Sequence, residues 1–210
     1  MIIGNFIKGI ELKYKNNYFS GLCFDSSKCK KDNIFFAIKG TKIDGNKFIN
    51  HAIQKGAKII ISNEKFQGIR KKILFIKSSN VRKSLSEFAY SIYKDKPKNI
   101  TAVTGTNGKS SVADFYFQIL RFNKKKVASI GTLGIKTQNY IKKVPNTTTD
   151  PIALSIILSK LKKEKINDVI LEASSHGLKQ NRLDGLIFKT GIFTNLSHDH
   201  LDYHKTFSDY

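Results

Sequence analysis

The stretch from Ile100 to Leu120, "ITAVTGTNGKSSVADFYFQIL", joins an apolar strand pattern, a glycine-containing loop and an amphipathic helix pattern. Its centre is similar to the phosphate-binding loop G-x-x-x-x-G-K-[ST]. Counting back five residues from Gly108 gives Val103 rather than glycine, and the nearest earlier glycine is Gly105. The loop is therefore shorter than the common type, and we interpret it as a nucleotide site of another design.

A triphosphate site needs converging backbone N–H groups, a helix N-terminus, a lysine and a hydroxyl for the metal ion. The two glycines, the lysine and the two serines of "TGTNGKSS" supply these groups between a strand and a helix. The alternative, a strand–helix turn with an incidental lysine, explains less of the pattern. The predicted ATP-binding residues are Gly105, Thr106, Asn107, Gly108, Lys109, Ser110 and Ser111.

The composition indicates a folded protein without a membrane segment. The chain has 210 residues, of which 40% are hydrophobic and 25% charged, enough for one large or two small domains. No apolar run approaches the roughly 20 residues that span a bilayer, and the first residues do not read as a signal peptide. The spacing of Cys23 and Cys29 matches no disulfide framework, so we expect a reducing, cytoplasmic setting.

The net charge of +21 comes almost entirely from lysine, because the chain has only four arginines: Arg70, Arg82, Arg121 and Arg182. Arginine is the residue that clamps phosphates bidentately and reads guanine edges, so the pattern gives little support to nucleic-acid binding. Lysine, isoleucine and asparagine share A/T-rich codons, which is the simpler explanation. The charge would still attract small anionic substrates.

The segment "YKDKPKN" (93–99) separates two patterned regions. Before it, strands are expected in "NIFFAI", "AKIII" and "ILFI", with a helix over "DGNKFINHAIQKG" that ends at Gly56 and another after the cap residue Asn80. After it, the pattern predicts strands in "NITAVT", "KVASIG", "DVILEA" and "LIFKTGIFTNL". Helices are expected over "KSSVADFYFQILRFN" and from the Asp150 cap, through Pro151, to about Lys165.

Alternating strands and helices predict an α/β protein whose second region contains a mostly parallel sheet. Ligands of such sheets bind outside the carboxyl ends of the strands. Three motifs follow strands there: the glycine loop, "EASSH" and "HDH". Their coincidence at one sheet edge predicts an active site.

The string "LEASSHGLKQNRL" begins with Glu172 at the end of an apolar strand. A carboxylate there is costly unless it is paired or binds a metal ion, and a hard oxygen ligand suits Mg²⁺. The polar residues after it, expected in a loop, are Ser174, Ser175, His176, Gln180 and Arg182. Taken alone, this string is also typical of a polar surface turn.

The string "TNLSHDHLDYH" has the composition of a metal site, with three histidines and two aspartates at 198, 199, 200, 202 and 204. It approaches the H-x-H-x-D-H pattern of dinuclear zinc hydrolases, but Tyr203 interrupts it and no further histidine or cysteine follows. One histidine serving a magnesium ion or a substrate is the more economical interpretation. The string "VPNTTTDP" (Val144–Pro151) suits a carboxylate or phosphate at a helix N-terminus, and plain capping by Asp150 explains it equally well.

The strings "TGTNGKSS", "NTTTDP", "EASSHGLKQNRLDG" and "FTNLSHDHLDYH", in this order, resemble the Mur ligases of peptidoglycan synthesis. The last two strings are most similar to the family members that add the third amino acid of the peptide. Their substrate is UDP-N-acetylmuramoyl-L-alanyl-D-glutamate (UDP-MurNAc-L-Ala-D-Glu). The stretch "FDSSKCKKDNIFFAIKGTKIDGNKFINHAIQKGAKIII" is similar to the UDP-binding domain of those enzymes. The resemblance implies a UDP-sugar-binding domain over residues 1–96 and an incomplete ATP-binding domain over 97–210, without the family's C-terminal ligase domain.

The resemblance implies ATP- and Mg²⁺-dependent amide bond formation in the bacterial cytoplasm, a step on which cell-wall synthesis, cell shape and division depend. The γ-phosphate of ATP passes to the D-glutamyl carboxylate, and the amine of an amino acid then displaces phosphate. The implied catalytic residues are Lys109, Glu172 and His200, and the implied magnesium ligands are Ser110, Glu172 and His200. The implied uridine-nucleotide contacts are Phe24, Ser26, Thr41, Lys42 and Ile43; those to the muramoyl dipeptide are Asn146, Thr147, Thr148, Ser174, Gln180 and Arg182. We expect a monomer without nucleic-acid or membrane partners.

Two departures from the family pattern matter. The family reads Asp-Ser-Arg where this chain has Asp25, Ser26 and Ser27, so an arginine contact at 27 is lost. The family also has an N-carboxylated lysine a few residues beyond the position of Tyr210 and a further domain that selects the amino acid. We therefore expect a fragment that binds nucleotides without ligating, from an enzyme that adds meso-diaminopimelate or, as the main rival, L-lysine.

Other classes stay open at this stage. Another Mur-type or folate-type amide ligase shares the glycine loop. A dinuclear zinc hydrolase explains only the histidines, and a basic nucleic-acid-binding NTPase explains only the charge and the loop.

Overall fold

The computed structural model describes residues 1–7, 10–40, 43–199 and 201–210, with the backbone alone at 201 and 202. The chain divides into two compact units, Met1–Ile92 and Tyr93–Tyr210. Each unit contains its own sheet.

The first unit contains a five-stranded sheet in the order β1-β2-β3-β5-β4. Its strands are β1 (Gly21–Cys23), β2 (Asn33–Phe36), β3 (Ile59–Ser62), β4 (Gly68–Arg70) and β5 (Ile73–Lys77), and its helices are α1 (Ile49–Gln54) and α2 (Val81–Ile92). All neighbouring strands are parallel except β4, which runs antiparallel to β5. Every residue of β2 and β3 is buried, which explains their continuous apolar runs.

The start of α2 and the end of α1 agree with the sequence-based predictions. Asn80 caps α2, because its Oδ1 accepts a hydrogen bond of 3.0 Å from the backbone N–H of Lys83. Beyond the end of α1, Gly56 has a φ of +107°, a conformation that favours glycine. The predicted helix around α1 is shortened at its start, since Gly45–Phe48 form a 3₁₀ turn and the Phe48 side chain remains exposed.

The second unit contains a six-stranded sheet in the order β11-β6-β10-β7-β8-β9. Its strands are β6 (Asn99–Thr104), β7 (Val127–Gly131), β8 (Gly134–Lys136), β9 (Ile141–Lys142), β10 (Asp168–Glu172) and β11 (Thr190–Phe193). Its helices are α3 (Lys109–Phe122), α4 (Pro151–Lys163), α5 (Ser175–Lys179) and α6 (Leu201–His204). The four strands β11, β6, β10 and β7 are parallel, which confirms the predicted mostly parallel sheet.

The register of the parallel strands brings their carboxyl ends to one edge. Glu172 at the end of β10 lies opposite Val103 in β6, and Thr104 lies opposite Phe193 in β11. The core under this edge includes Val103, Ala113 and Ile170, which are fully buried. The loops after β6, β10 and β11 therefore leave the sheet side by side.

Some elements differ from the sequence-based expectations. Strands β1, β4, β8 and β9 have only two or three residues, too few for a periodic pattern to be visible. The strand expected over 186–196 is limited to Thr190–Phe193, because Gly185 has a φ of +85° and Leu186 N–H closes a turn onto the carbonyl of Leu183. The polar run after β10, expected as a loop, contains α5, which Ser174 caps by accepting the N–H of Gly177 at 3.1 Å.

Within the described part of the chain, no helix has both the length and the apolar character needed to cross a bilayer.

We expect Asp150→Ala to lower the free energy of unfolding by about 1 kcal/mol. The Asp150 Oδ1 accepts the N–H of Ala153 at 3.0 Å and thereby caps α4, and alanine cannot replace this bond. Urea unfolding followed by circular dichroism measures the loss. The exposed Asp95 provides the matched control as Asp95→Ala, and equal losses in the two variants would contradict the capping role.

Candidate active site

The glycine loop connects β6 to α3 in a conformation that only its glycines adopt easily. Gly105 and Gly108 have φ values of +131° and +83°, and α3 begins directly after the second of them. The Lys109 ammonium folds back over the loop and donates to the carbonyl oxygens of Gly105 at 2.5 Å and Thr106 at 2.8 Å. The loop thus presents a helix N-terminus and a lysine at the same place, which is an anion-binding arrangement.

The segment after β11 fastens this loop. Asn195 accepts the N–H of Thr106 through its backbone oxygen at 2.9 Å and the N–H of Asn107 through Oδ1 at 3.0 Å. Its Nδ2 donates back to the carbonyl of Asn107 at 3.1 Å. A Cβ on Gly105 would lie 2.1 Å from the Thr194 hydroxyl oxygen, so this position requires glycine for space as well as for φ. The sequence analysis did not single out Thr194 or Asn195, whose role depends on strand pairing.

Glu172 ends β10 as a buried carboxylate, with 2% of its surface exposed. Its Oε2 accepts the hydroxyls of Ser110 at 2.8 Å and Thr132 at 3.1 Å, and its Oε1 accepts the backbone N–H of Thr132 at 2.9 Å. These bonds reduce the cost of burying the charge without neutralising it. A Cβ on Gly131 would lie 2.1 Å from Oε1, so the absence of a side chain there makes room for the carboxylate.

The "NTTT" segment is fixed to the start of α5. The buried Thr148 hydroxyl donates to the carbonyl of Glu172 at 2.8 Å and accepts the N–H of Ser174 at 2.8 Å. The Arg182 guanidinium donates to the Thr148 carbonyl and to Gln180 Oε1, the latter at 2.8 Å from Nη2. Thr148 therefore organises the segment, while its neighbour Thr147 makes a hydroxyl contact of 3.0 Å with Thr132.

A cavity of about 560 Å³ joins these parts, and its lining is mostly polar. The lining residues that the sequence predicted are Thr106, Asn107, Gly108, Lys109, Ser110, Ser111, Asn146, Thr147, Thr148, Glu172, Ser174, Gln180 and Arg182. Ser175, His176 and Thr132 also line it. The first two belong to the polar run noted in the sequence, whereas no sequence pattern pointed to Thr132. Gly105 is not among the lining residues.

The cavity contains oxygen ligands suited to a hard divalent cation. Ser110 and Glu172 line it together, and both present oxygen atoms, the donor type that Mg²⁺ prefers. Because Ser110 donates its proton to Glu172, the lone pairs of its oxygen are left for other partners. The third expected ligand, His200, lies outside the described residues.

The other histidines of "SHDHLDYH" do not converge. The His198 ring lies against Phe207, with centroids 4.7 Å apart, and the buried His204 ring lies against Tyr210 at 5.1 Å. Among the side chains that the structure describes, no three or more His, Cys, Asp or Glu residues are placed to share a metal ion. The dinuclear zinc interpretation therefore gains no support from the described residues.

The uridine-contact residues expected in the first unit are only partly described. Ser26 is buried, and its hydroxyl lies 2.9 Å from His51 Nδ1, a residue that the sequence analysis did not select. Phe24 and Ile43 are exposed, by 41% and 62%. Thr41 and Lys42 lie outside the described residues.

Comparison with known proteins defines the class. The family model described as Mur ligase middle domain matches residues 103–210, and the model described as Mur ligase family, catalytic domain, matches residues 18–102. The chain belongs to the Mur ligase family. Membership of this family replaces the hydrolase and nucleic-acid interpretations, which explained only parts of the sequence.

Individual relatives within the family show which of its members this chain is similar to. The chain is 41% identical over 201 residues to the UDP-N-acetylmuramoyl-L-alanyl-D-glutamate--2,6-diaminopimelate ligase of Rickettsia prowazekii, covering 94% of this chain and 42% of the relative. It is 42% identical over 200 residues to the ligase of the same name from Buchnera aphidicola subsp. Schizaphis graminum, covering 91% and 40%. A solved structure of a ligase with this name covers 100% of this chain and 42% of its own, with a TM-score of 0.81 and 29% identity. The chain thus spans about two fifths of the length of these relatives.

We expect Gly131→Ala to lower the free energy of unfolding by about 1–3 kcal/mol, because the new methyl group would overlap the Glu172 carboxylate. Gly191→Ala is the matched control in the same sheet, since a Cβ there meets no atom within 4 Å. Chemical denaturation of both variants measures the difference. A Gly131→Ala protein as stable as the Gly191→Ala protein would show that the carboxylate has room to move.

Proposed function

We propose that the chain is the nucleotide- and substrate-binding part of an ATP-dependent ligase that adds the third amino acid to UDP-MurNAc-L-Ala-D-Glu. One observation carries this proposal: a single cavity joins the glycine loop, the buried Glu172 and the segment formed by Asn146, Thr147 and Thr148. A phosphate donor and a carboxylate acceptor must meet in such a space for an acyl phosphate to form. The names of the 41–42% identical relatives support the same reaction.

The glycine loop and Lys109 would bind the phosphates of ATP. The first residues of α3, including the lysine, line the cavity, so the γ-phosphate would meet a helix N-terminus and an ammonium group. Lys109 now donates to two loop carbonyls, and an anionic phosphate would compete for the same ammonium. Phosphoryl transfer depends mainly on such positioning and charge stabilisation.

Ser110, Glu172 and His200 would hold Mg²⁺, which neutralises charge on the transferred phosphate when it is bound. The dipeptide part of the substrate would lie against Asn146, Thr147, Thr148, Ser174, Gln180 and Arg182. Arg182 is held by Gln180 Oε1 and by the Thr148 carbonyl and lines the cavity, so its positive charge would attract a substrate carboxylate bound there. Phe24, Ser26, Thr41, Lys42 and Ile43 would contact the uridine nucleotide in the first unit.

We further propose meso-diaminopimelate as the added amino acid, following the names of the relatives, with L-lysine as the rival. The enzyme would act as a cytoplasmic monomer on nucleotide-linked precursors. Size-exclusion chromatography with light scattering measures the mass in solution and thereby tests whether the protein is a monomer.

We expect Lys109→Met to weaken ATP binding by at least about tenfold, because the phosphates lose the ammonium group that the glycine loop itself provides. Titration of a fluorescent ATP analogue measures the change. Lys124→Met, just beyond the other end of α3, is the control and should bind ATP like the unaltered protein. Equal affinity in both variants would remove Lys109 from the phosphate site.

We expect phosphate release from ATP only when both UDP-MurNAc-L-Ala-D-Glu and diaminopimelate are present. The acyl phosphate needs the first and its resolution needs the second. The assay uses a protein that joins this sequence to the full length of its relatives, with L-lysine as the comparison amino acid. Release that requires neither substrate would contradict the ligase.

A further inference from the structure

Thr132, directly after β7, contacts both sides of the cavity. Its backbone N–H donates to Glu172 Oε1 at 2.9 Å, and its hydroxyl donates to Glu172 Oε2 at 3.1 Å. The same hydroxyl lies 3.0 Å from the hydroxyl of Thr147, in the segment expected to bind the dipeptide. Thr132 therefore connects the buried carboxylate with the substrate segment.

Each hydroxyl has a single proton, and this fixes the direction of the hydrogen bonds that link Thr147, Thr132 and Glu172. Because Thr132 donates its proton to Glu172, the 3.0 Å contact requires Thr147 to donate to Thr132. The oxygen of Thr147 then keeps its lone pairs as acceptor sites toward the cavity that it lines. A substrate N–H or O–H bound there would strengthen the same series of hydrogen bonds.

The donors around Glu172 are unevenly distributed between its two oxygens. Oε2 accepts two hydroxyl protons, from Ser110 and Thr132, whereas Oε1 accepts one N–H. A carboxylate offers about four lone-pair sites, so Oε2 is filled and one site remains on Oε1. Gly131 leaves room for this oxygen, because a Cβ there would lie 2.1 Å from Oε1.

We infer that Thr132 is a positioning residue that holds Glu172 with one oxygen site open for a divalent cation and couples that site to the substrate segment. This inference rests on the proposed function, because the cation is the one that accompanies ATP. Without the Thr132 hydroxyl, Oε2 keeps only the Ser110 donor, so the carboxylate is held less firmly in the orientation that leaves the Oε1 site open. Partners that orient a metal ligand typically change metal affinity by about 10–100-fold.

The test is Thr132→Val, which removes the hydroxyl and keeps the shape and the N–H. Thr132 is exposed on the cavity wall, so this change disturbs no core packing. ATP binding is measured by calorimetry over a series of Mg²⁺ concentrations and again in EDTA. We expect the Mg²⁺ midpoint for tight ATP binding to rise about 10–100-fold in Thr132→Val while affinity in EDTA is unchanged. Thr132→Ser, which restores the hydroxyl, should return the midpoint to within about threefold of the unaltered protein, well short of that loss.

Two controls separate positioning from stability. Thr137→Val removes a buried hydroxyl that accepts the N–H of Asn139 at 3.2 Å, away from the cavity, and should leave the Mg²⁺ midpoint unchanged. Thr147→Val removes the hydroxyl that donates to Thr132 but leaves the bond from Thr132 to Glu172. Its Mg²⁺ midpoint should therefore change less than that of Thr132→Val. An unchanged midpoint in Thr132→Val, or equal losses in the Val and Ser variants, would overturn the inference. Failure of the unaltered protein to bind ATP at all would instead overturn the proposed function.

Discussion

A carboxylate buried at the end of a β-strand is the constraint on which the rest of the second unit depends. Burying the Glu172 charge without partners would cost several kcal/mol, so the surrounding chain must supply donors at fixed positions. Those donors come from the first turn of α3 and from the turn after β7, both of which the parallel register brings to the same sheet edge. The small residue at 131 completes the arrangement, because any side chain there would occupy the space of the carboxylate.

The hydrogen-bond partners of Glu172 are neutral groups, so the negative charge of its carboxylate is not cancelled by them. Within the described part of the chain no ion pair involves Glu172, although lysine is the most abundant charged residue of the protein. Even Lys109, at the same cavity, donates to loop carbonyls instead. Hydroxyl and amide donors stabilise the charge but leave it uncompensated, so the site keeps its attraction for a cation. In the proposed function, Lys109 would exchange these carbonyls for the phosphates that such a cation accompanies.

Much of this arrangement is visible in the sequence because it depends on local patterns. The run "NITAVT", the glycines of the loop and the Asp150–Pro151 helix start predict their elements, and the polar strings predict most of the cavity lining. What the sequence does not reveal depends on contacts distant along the chain. Thr132 and Asn195 acquire their roles only when β7, β10 and β11 pair, and short strands such as β8 have no periodicity of their own. Likewise, Thr148 reads as a ligand contact, yet its hydroxyl is used within the protein.

The attachment of the glycine loop to Asn195 also fixes when the site can form during synthesis. The two ends of the Asn107–Asn195 hydrogen bond are 88 residues apart, and the second end directly follows β11, which is made after β6, β7 and β10. At about 5–20 residues per second, a ribosome needs roughly 4–18 s to add that distance. During this interval the nascent chain has the loop sequence without the groups that hold its amides in place. The hydrogen bonds that hold the loop thus form late in the growing chain, only after β11 has joined the sheet.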